Sequence, residues 1–138
     1  MGDRFKMIPD HKVVARTFIL AEKLDYAHEM MNIPEVWART KGAKVTVAVL
    51  DTGVPDHVDL DVHAGASMIP GYKADKNGHA THCGGIIAAI ANNGMGVAGI
   101  APEVKDIYCA VLDEGGSGSI DEIIAGIEWA VAQGADVI

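Results

Sequence analysis

The sequence predicts an α/β fold, a three-layer sandwich with a mainly parallel sheet. Two almost wholly apolar runs, residues 45–50 and 107–112, have the length and composition of strands buried on both faces. A segment of helical length follows each run, and a third apolar run begins at residue 135. Strand, helix, strand, helix, strand is the order that builds a parallel sheet covered by helices.

The segments that flank the first strand have different patterns. Residues 17–31 mix apolar and charged side chains as an amphipathic helix does. Pro34 is expected to open a short helix that ends at Thr40, with Trp37 packed inward. Residues 54–78 are rich in loop-forming residues and leave room for one short strand at 67–69.

Two helices are predicted after that loop. The first begins at His79, after small turn-forming residues. The second has clear limits, because Ser119 and Glu122 make a capping box and Gly134 provides a stop. Its predicted apolar stripe consists of Ile120, Ile123, Ile124, Ile127 and Val131.

Composition narrows the possible functions. A chain of 138 residues with 49% apolar residues suits one globular domain. A net charge of −8 argues against nucleic acid as a partner, because phosphate binding needs a basic surface. No apolar run is long enough to span a membrane, so no membrane partner is expected. The first residues lack a secretory signal, which predicts a cytoplasmic location, with secretion as the alternative if the N-terminus is incomplete.

Two residues that could share a proton fall at one edge of the predicted sheet. Asp51 ends the first strand and His79 begins the next major helix. Ligands gather at this edge in parallel sheets. A carboxylate behind an imidazole fixes the ring tautomer and stabilises the protonated ring. Taken alone, however, an aspartate after a strand is more often a turn residue.

The residues around this pair resemble the subtilases, the subtilisin-like serine proteases. Residues 47–54, Val-Ala-Val-Leu-Asp-Thr-Gly-Val, are similar to the aspartate motif of the family. Residues 77–85, Asn-Gly-His-Ala-Thr-His-Cys-Gly-Gly, resemble its histidine motif. The resemblance covers about residues 33–138. It implies a serine endopeptidase in which Asp51 orients His79 and His79 is the general base.

The resemblance also implies that the chain is truncated. It divides the sequence into an N-terminal extension, 1–31, and the N-terminal portion of a catalytic domain, 32–138. The family's nucleophilic serine and oxyanion-hole asparagine lie downstream of these segments, and Ser117 and Ser119 match other positions. We therefore expect the 138 residues alone to be inactive, although the complete form is an enzyme. The alternative is a catalytically inactive fragment or a peptide-binding module.

A peptide or protein substrate is the partner that the resemblance implies. Gly116, Ser117 and Gly118 are similar to the family's substrate-binding edge, where a peptide adds as a strand. Leu112 resembles a residue that lines a pocket for a substrate side chain. From the residues alone, a flexible loop before a capped helix explains the same stretch. The sequence indicates neither a side-chain preference nor an oligomeric state.

Calcium is the cofactor that the resemblance implies. Asp59 matches an aspartate ligand, and residues 90–97 match the loop that surrounds the ion. Asn92 and Asn93 compete for a single ligand position in that loop. Oxygen ligands on a flexible loop suit calcium, but ordinary Asn-Gly turn chemistry explains the loop almost as well.

Cys83 follows His79 by one helical turn, at a position where some subtilases carry a free cysteine. It would then confer sensitivity to thiol reagents, while a small core residue is the simpler interpretation. His79, His82 and Cys83 could also be metal ligands, but zinc needs three or four ligands and the sequence spacing offers no clear remainder.

Residues 7–9, Met-Ile-Pro, resemble part of the short inhibitory extension of intracellular subtilisins, although Asp10 replaces the usual tyrosine. This resemblance implies that the extension lies across the active-site cleft until it is removed. A flexible tail followed by a docking helix is the alternative.

Overall fold

A computed structural model describes residues 3–10 and 22–138 of the chain. Short strands and helices alternate along it. In chain order the elements are β1 (Arg4–Lys6), α1 (Tyr26–Met30), α2 (Ile33–Trp37), β2 (Thr46–Asp51), β3 (Ala64–Ser67), α3 (His79–Ala88), β4 (Lys105–Ala110), β5 (Ser117–Ser119) and α4 (Ile120–Ala132).

The central sheet is parallel, as the sequence predicts. Its strand order is β2-β4-β3, and both pairs of neighbours run in the same direction. On the far side of β2, Val137 forms a parallel bridge with Val47, and the Ala48 amide donates to the Val137 carbonyl at 2.8 Å. The run that begins at residue 135 therefore starts a further parallel pairing, as expected.

The helices α3 and α4 cover opposite faces of this sheet. On β4, Ile107 packs against Ala130 of α4. The next residue, Tyr108, is fully buried against Gly84 of α3. Successive residues of a strand point to opposite faces, so the two helices lie on different sides. The structure thus has the three layers that the sequence predicts.

The capping box of α4 is present as predicted. The Ser119 hydroxyl accepts from the Glu122 amide at 3.2 Å, and the Glu122 carboxylate accepts from the Ser119 amide at 2.7 Å. Together these bonds satisfy two backbone groups that a helix start leaves unpaired. They also fix where β5 ends, because Ser119 is both the last residue of that strand and the helix cap.

The predicted apolar stripe of α4 is wrong in part. Ile123 packs against the core, but the other four members of the stripe are 42–64% exposed: Ile120, Ile124, Ile127 and Val131. The buried face consists instead of small residues, Gly126 and Ala130. They let the helix lie close to the sheet, since a Cβ on Gly126 would come within 2.5 Å of Val111.

Several element boundaries differ from the predictions by a few residues. The two buried strands are displaced by one or two residues, and the short strand lies at Ala64–Ser67 instead of 67–69. The predicted helix from Pro34 to Thr40 is α2, Ile33–Trp37.

For the predicted helix at 17–31, the described part contains only α1, and residues 17–21 lie outside the described residues. At Lys23, within the described part, the backbone is extended and forms a bridge with Val97, so no helix forms at that residue.

Two adjacent glycines of α3 give a matched test of this packing. Gly84→Ala would place a Cβ 2.2 Å from the Tyr108 hydroxyl oxygen, whereas a Cβ at Gly85 meets nothing within 4 Å. We expect Gly84→Ala to destabilise the fold by about 1–3 kcal/mol through overpacking. Gly85→Ala should stabilise it by up to about 1 kcal/mol, because alanine favours helix interiors. Urea unfolding of both variants measures the difference, and shifts of the same sign would contradict the packing described.

Candidate active site

Asp51 and His79 meet at the edge of the sheet where β2 and β4 end. The His79 Nδ1 atom lies 2.9 Å and 2.8 Å from the two carboxylate oxygens of Asp51. Asp51 is 8% exposed, while the side chain of His79 is 40% exposed. The pair therefore joins a buried acceptor to a ring that solvent can reach.

The parity of β2 explains why Asp51 can reach α3. Ala48 and Leu50 pack against the α4 side of the sheet, so Asp51, one residue after Leu50, points to the α3 side. His79 is the first residue of α3, after Gly78, which has a φ of +95°. Glycine adopts this backbone angle without strain, and a side chain here would oppose the sharp turn into the helix.

Asp75 holds the start of α3 against the end of β2. Its carboxylate accepts from the Thr52 hydroxyl at 2.9 Å, from the Gly78 amide at 2.8 Å, and from the Thr81 amide and hydroxyl at 2.8 Å and 2.6 Å. Burial alone would raise the pKa of Asp75, but these bonds from Thr81, Gly78 and Thr52 outweigh it and lower that pKa. Thr52 follows Asp51, and Gly78 precedes His79. The network therefore fixes the backbone next to each member of the pair.

The pair has the geometry for general base chemistry. An ionised carboxylate can only accept hydrogen bonds, so the His79 Nδ1 atom carries the hydrogen toward Asp51. In the neutral ring the other nitrogen, Nε2, then has a free lone pair. No described residue donates a hydrogen bond to Nε2. The ring can therefore take a proton at Nε2 while Asp51 stabilises the resulting charge.

Cys83 lies beside this pair, as its spacing from His79 predicts. Its Sγ atom is 3.7 Å from the His79 Nδ1 atom. Burial raises the pKa of the Cys83 thiol, and the negative charges of Asp51 and Asp75 raise it further. The thiol is therefore held in its protonated form.

The serines of the chain bond to residues other than His79 in the described structure. All three of them, Ser67, Ser117 and Ser119, are in the part of the chain that the structure describes. Ser67 bonds to Ile69 and Ser119 caps α4. Within those described residues, none of the three forms a hydrogen bond with His79. The structure thus brings Asp51 and His79 together without a contact from any of these serines.

The predicted substrate-binding residues lie together around β5. Leu112 is buried in an apolar cluster with Cys109 and Val111. Gly118 passes so close that a Cβ there would lie 2.2 Å from the Val111 carbonyl oxygen. Gly116 has a φ of +72°, which favours glycine. With Ser117 these residues form one edge, and their assignment to substrate stays a prediction.

The N-terminal segment occupies this edge. β1 pairs with β5 in antiparallel register, with Phe5 opposite Gly118 and Lys6 opposite Ser117. The Met7 and Ile8 amides both donate to the Gly116 carbonyl, at 2.9 Å and 3.1 Å.

Two side chains fasten this segment. Ile8 is 9% exposed and packs in the cluster that contains Leu112. Arg4 bonds to both carboxylate oxygens of Glu122, at 2.6 Å and 2.7 Å, and to Asp113 at 3.1 Å. Burial would raise the pKa of Glu122, but bonds from Ser119 and Arg4 outweigh it and lower that pKa. The ion pair with Arg4 therefore persists above the usual glutamate pKa and is lost only as the pH falls through the lowered value.

Of the three predicted calcium ligands, Asn93 forms a hydrogen bond with Asp59 and Asn92 does not. Asp59 is 4% exposed, and its carboxylate accepts from the Asn93 side chain at 2.5 Å and from the Val97 amide at 3.2 Å. Asn92 is exposed, with a φ of +63°, and has no hydrogen bond to Asp59 within the described residues. The left-handed turn at Asn92 brings Asn93 to the aspartate, so the geometry separates the two candidates.

Sequence reasoning missed the supporting residues of the site. Asp75 was one loop residue among many in 54–78, and Thr52 was part of a turn. Tyr72 was also missed, and its hydroxyl donates to the Thr52 carbonyl at 2.7 Å. The one available signal was the spacing Asp75 to Gly78, since aspartate often accepts from a nearby amide before a helix.

Comparisons with known proteins identify the family of the chain. A profile described as the Subtilase family matches residues 42–138. Subtilisin DY of Bacillus licheniformis is 43% identical over 122 residues, which cover 86% of this chain and 44% of the relative. Subtilisin Savinase of Lederbergia lenta is 48% identical over 98 residues, which cover 70% of this chain and 36% of the relative.

A further relative is the Minor extracellular protease Epr of Bacillus subtilis. It is 38% identical over 114 residues, which cover 80% of this chain and 17% of the relative. The chain thus spans less than half of the length of each of these three relatives. The profile covers most of the chain, and the chain belongs to the subtilase family.

Proposed function

We propose that the complete protein is a serine endopeptidase in which Asp51 and His79 are two members of the triad. The observation that carries this proposal is the contact of His79 Nδ1 with both carboxylate oxygens of Asp51. The family match supports it, because the matched residues contain both side chains.

The proposed mechanism uses each atom of the pair differently. His79 Nε2 takes the hydroxyl proton of a serine as that oxygen attacks the substrate carbonyl. Asp51 keeps the ring oriented and stabilises the imidazolium, which then gives the proton to the leaving amine. Water, activated by the same histidine, hydrolyses the acyl-enzyme. The serine and an oxyanion donor would come from residues outside these 138, and loss of that donor alone costs about 3 kcal/mol of transition-state stabilisation.

We infer that the edge at Gly116, Ser117 and Gly118, with Leu112 beside it, binds the substrate peptide as an added strand. Support comes from β1, which makes this type of antiparallel contact with β5. Backbone hydrogen bonds of this kind hold many sequences, and side-chain pockets select among them. A peptide-binding module without catalysis would use the same edge, so hydrolysis is the property that separates the two functions.

For the N-terminal extension, residues 1–31, we propose an inhibitory role. The support is its described part, because residues 4–8 occupy the edge that a substrate would need. Ile8 lies beside Leu112, where a substrate side chain would be placed. Substrate and extension would therefore compete for one site, and activity would require the extension to leave.

We also propose that Asp59 and Asn93 bind calcium. Asp59 is a buried carboxylate that forms no ion pair with a described cationic side chain, and such a group favours a cation nearby. The Glu22 carboxylate lies against the same loop, since it accepts from the Asn93 amide at 3.2 Å. Hard oxygen ligands fit calcium. The Asn93 side chain donates from Nδ2 to Asp59 and its Oδ1 accepts from the Met95 amide, so this amide would have to turn to offer its oxygen to the ion. The ion would hold the loop in place and take no part in the reaction.

The location of the protein stays a proposal. In the part of the chain that the structure describes, the helices are too short or too polar to cross a membrane. The cytoplasmic location predicted from the sequence has no support from the comparisons. One relative is named an extracellular protease, and this favours secretion, the alternative raised above.

Substitution of the pair tests the proposed activity. In the complete protein, Asp51→Asn should lower kcat about 10⁴-fold, as the same change does in other serine proteases, because it reverses the hydrogen-bond polarity at His79. The measurement is hydrolysis of a peptide amide, with Asp61→Asn as the exposed control. The 138 residues alone should give no turnover. Equal activity of Asp51→Asn and the parent would refute the proposed function.

Ile8 gives a test of the inhibitory role. Ile8→Ala should lose about 2 kcal/mol or more of packing, which raises the freely accessible fraction, and hence the initial hydrolysis rate, by at least tenfold. Met7→Ala is the matched control, because Met7 is its neighbour and is 45% exposed. Inhibition is contradicted if both variants of the complete protein cleave at the parent's rate.

The calcium proposal predicts a difference between two nearby aspartates. Calcium at a hundred times its Kd should stabilise the parent by about 2.7 kcal/mol, which raises its Tm. Asp59→Asn should abolish this rise, whereas Asp61→Asn, at an exposed position two residues away, should keep it. Thermal melts with calcium and with a chelator make the comparison. A rise that survives in Asp59→Asn would place the ion elsewhere.

A further inference from the structure

One cluster at the active site has an arrangement that proteolysis does not require. Asp51, His79 and Cys83 each offer one ligand atom, and these atoms all lie within 4.8 Å of one another. A serine protease needs the carboxylate and the imidazole, but it does not need the thiol. We propose that these three side chains form a binding site for a zinc-like divalent ion and that the ion inhibits the enzyme.

The set of ligands favours zinc. Zinc binds cysteine sulfur, histidine nitrogen and carboxylate oxygen, whereas calcium and magnesium prefer oxygen ligands. The structure therefore supplies the third ligand that the sequence spacing did not reveal. Asp51 takes that place, and His82 is exposed and not among these ligands.

Two of the three distances between the ligand atoms can be compared with those of a tetrahedral site, and the third, from Asp51 to the Cys83 sulfur, is within 4.8 Å. Around one zinc ion, a sulfur and a nitrogen lie about 3.6 Å apart, and a nitrogen and an oxygen about 3.4 Å apart. Cys83 Sγ and His79 Nδ1 are 3.7 Å apart, which fits without movement. The Asp51 oxygens are 2.8–2.9 Å from Nδ1, so this pair has to separate by about half an ångström.

Local structure and charge support the same site. His79 and Cys83 are four residues apart on α3, so the helix holds both on one side. Burial, and then the charges of Asp51 and Asp75, raise the pKa of the Cys83 thiol, so the ion has to displace the thiol proton; the same two carboxylates attract a cation to that point. The side chain of His79 is 40% exposed, which gives an ion access from solvent.

Binding at this site would block the histidine. The ion takes the place of the Nδ1 hydrogen, the ring becomes the tautomer that carries its hydrogen on Nε2, and the thiol releases its proton to solvent. A ring bound in this way no longer donates a hydrogen bond to Asp51, so the carboxylate can no longer stabilise its protonated form. This inhibitory part rests on the proposed function, whereas the binding of the ion does not.

Cobalt(II) is the probe for the site, because a thiolate bound to cobalt gives a charge-transfer absorption band. In the 138-residue chain, titration with cobalt chloride should produce this band, saturating at one ion per chain. Added zinc should bleach it by displacement. Cys83→Ser should abolish the band. Cys109→Ser should keep it, because Cys109 is a free cysteine that is fully buried elsewhere in the core. His79→Gln should weaken cobalt binding at least tenfold.

Several outcomes would overturn the site. They are the absence of a band in the parent, a band that persists in Cys83→Ser and Cys83→Ala, and loss of the band in Cys109→Ser alone. Circular dichroism of each variant tests whether the fold is kept.

In the complete protein, zinc should inhibit peptide hydrolysis reversibly, with a midpoint concentration at least tenfold higher in Cys83→Ser. A midpoint unchanged in that variant would overturn the inhibitory part. If the complete protein hydrolysed no peptide, the proposed function would be refuted. The cobalt band would still show whether the metal site exists.

Discussion

The network around Asp75 is the constraint on which the rest of the site depends. Its carboxylate accepts hydrogen bonds from the end of the first core strand, through Thr52, and from the start of α3. These two elements are far apart in the sequence, and their contact decides where Asp51 and His79 lie. A proton-sharing pair tolerates little displacement, because a hydrogen bond weakens steeply with distance and angle. The Asp51–His79 pair is therefore positioned by a third residue, Asp75, which bonds to the residues next to the pair.

Much of this fold could be predicted from the sequence, because the strongest signals are local and periodic. The buried strands, the capping box of α4 and the placement of Asp51 and His79 at one edge all follow from pattern and parallel topology. The burial of α4 could not be predicted in this way. Its isoleucines suggest one face, but Gly126 and Ala130 determine which face can lie close to the sheet.

Other parts of the site depend on contacts between distant loops, which the sequence does not encode by spacing. The third member of the cluster with His79 and Cys83 lies on β2, and only the folded structure identifies it as Asp51. The choice between Asn92 and Asn93 depends on one left-handed residue in the turn. The resemblance to a family drew attention to the edge at residues 116–118, but the strand that covers it comes from a segment with weak sequence signals.

The shared carboxylate of Glu122 has a consequence for how the N-terminal strand can detach. Glu122 binds Arg4, but its bond with the Ser119 amide forms entirely within the capping box. Departure of Arg4 therefore leaves the capping box of α4 intact, and among residues 4–8 it is Ile8 that loses a contact with the core cluster. β1 can therefore leave and return while the capping box of α4 stays formed, because its pairing with β5 adds to a helix start that is already complete.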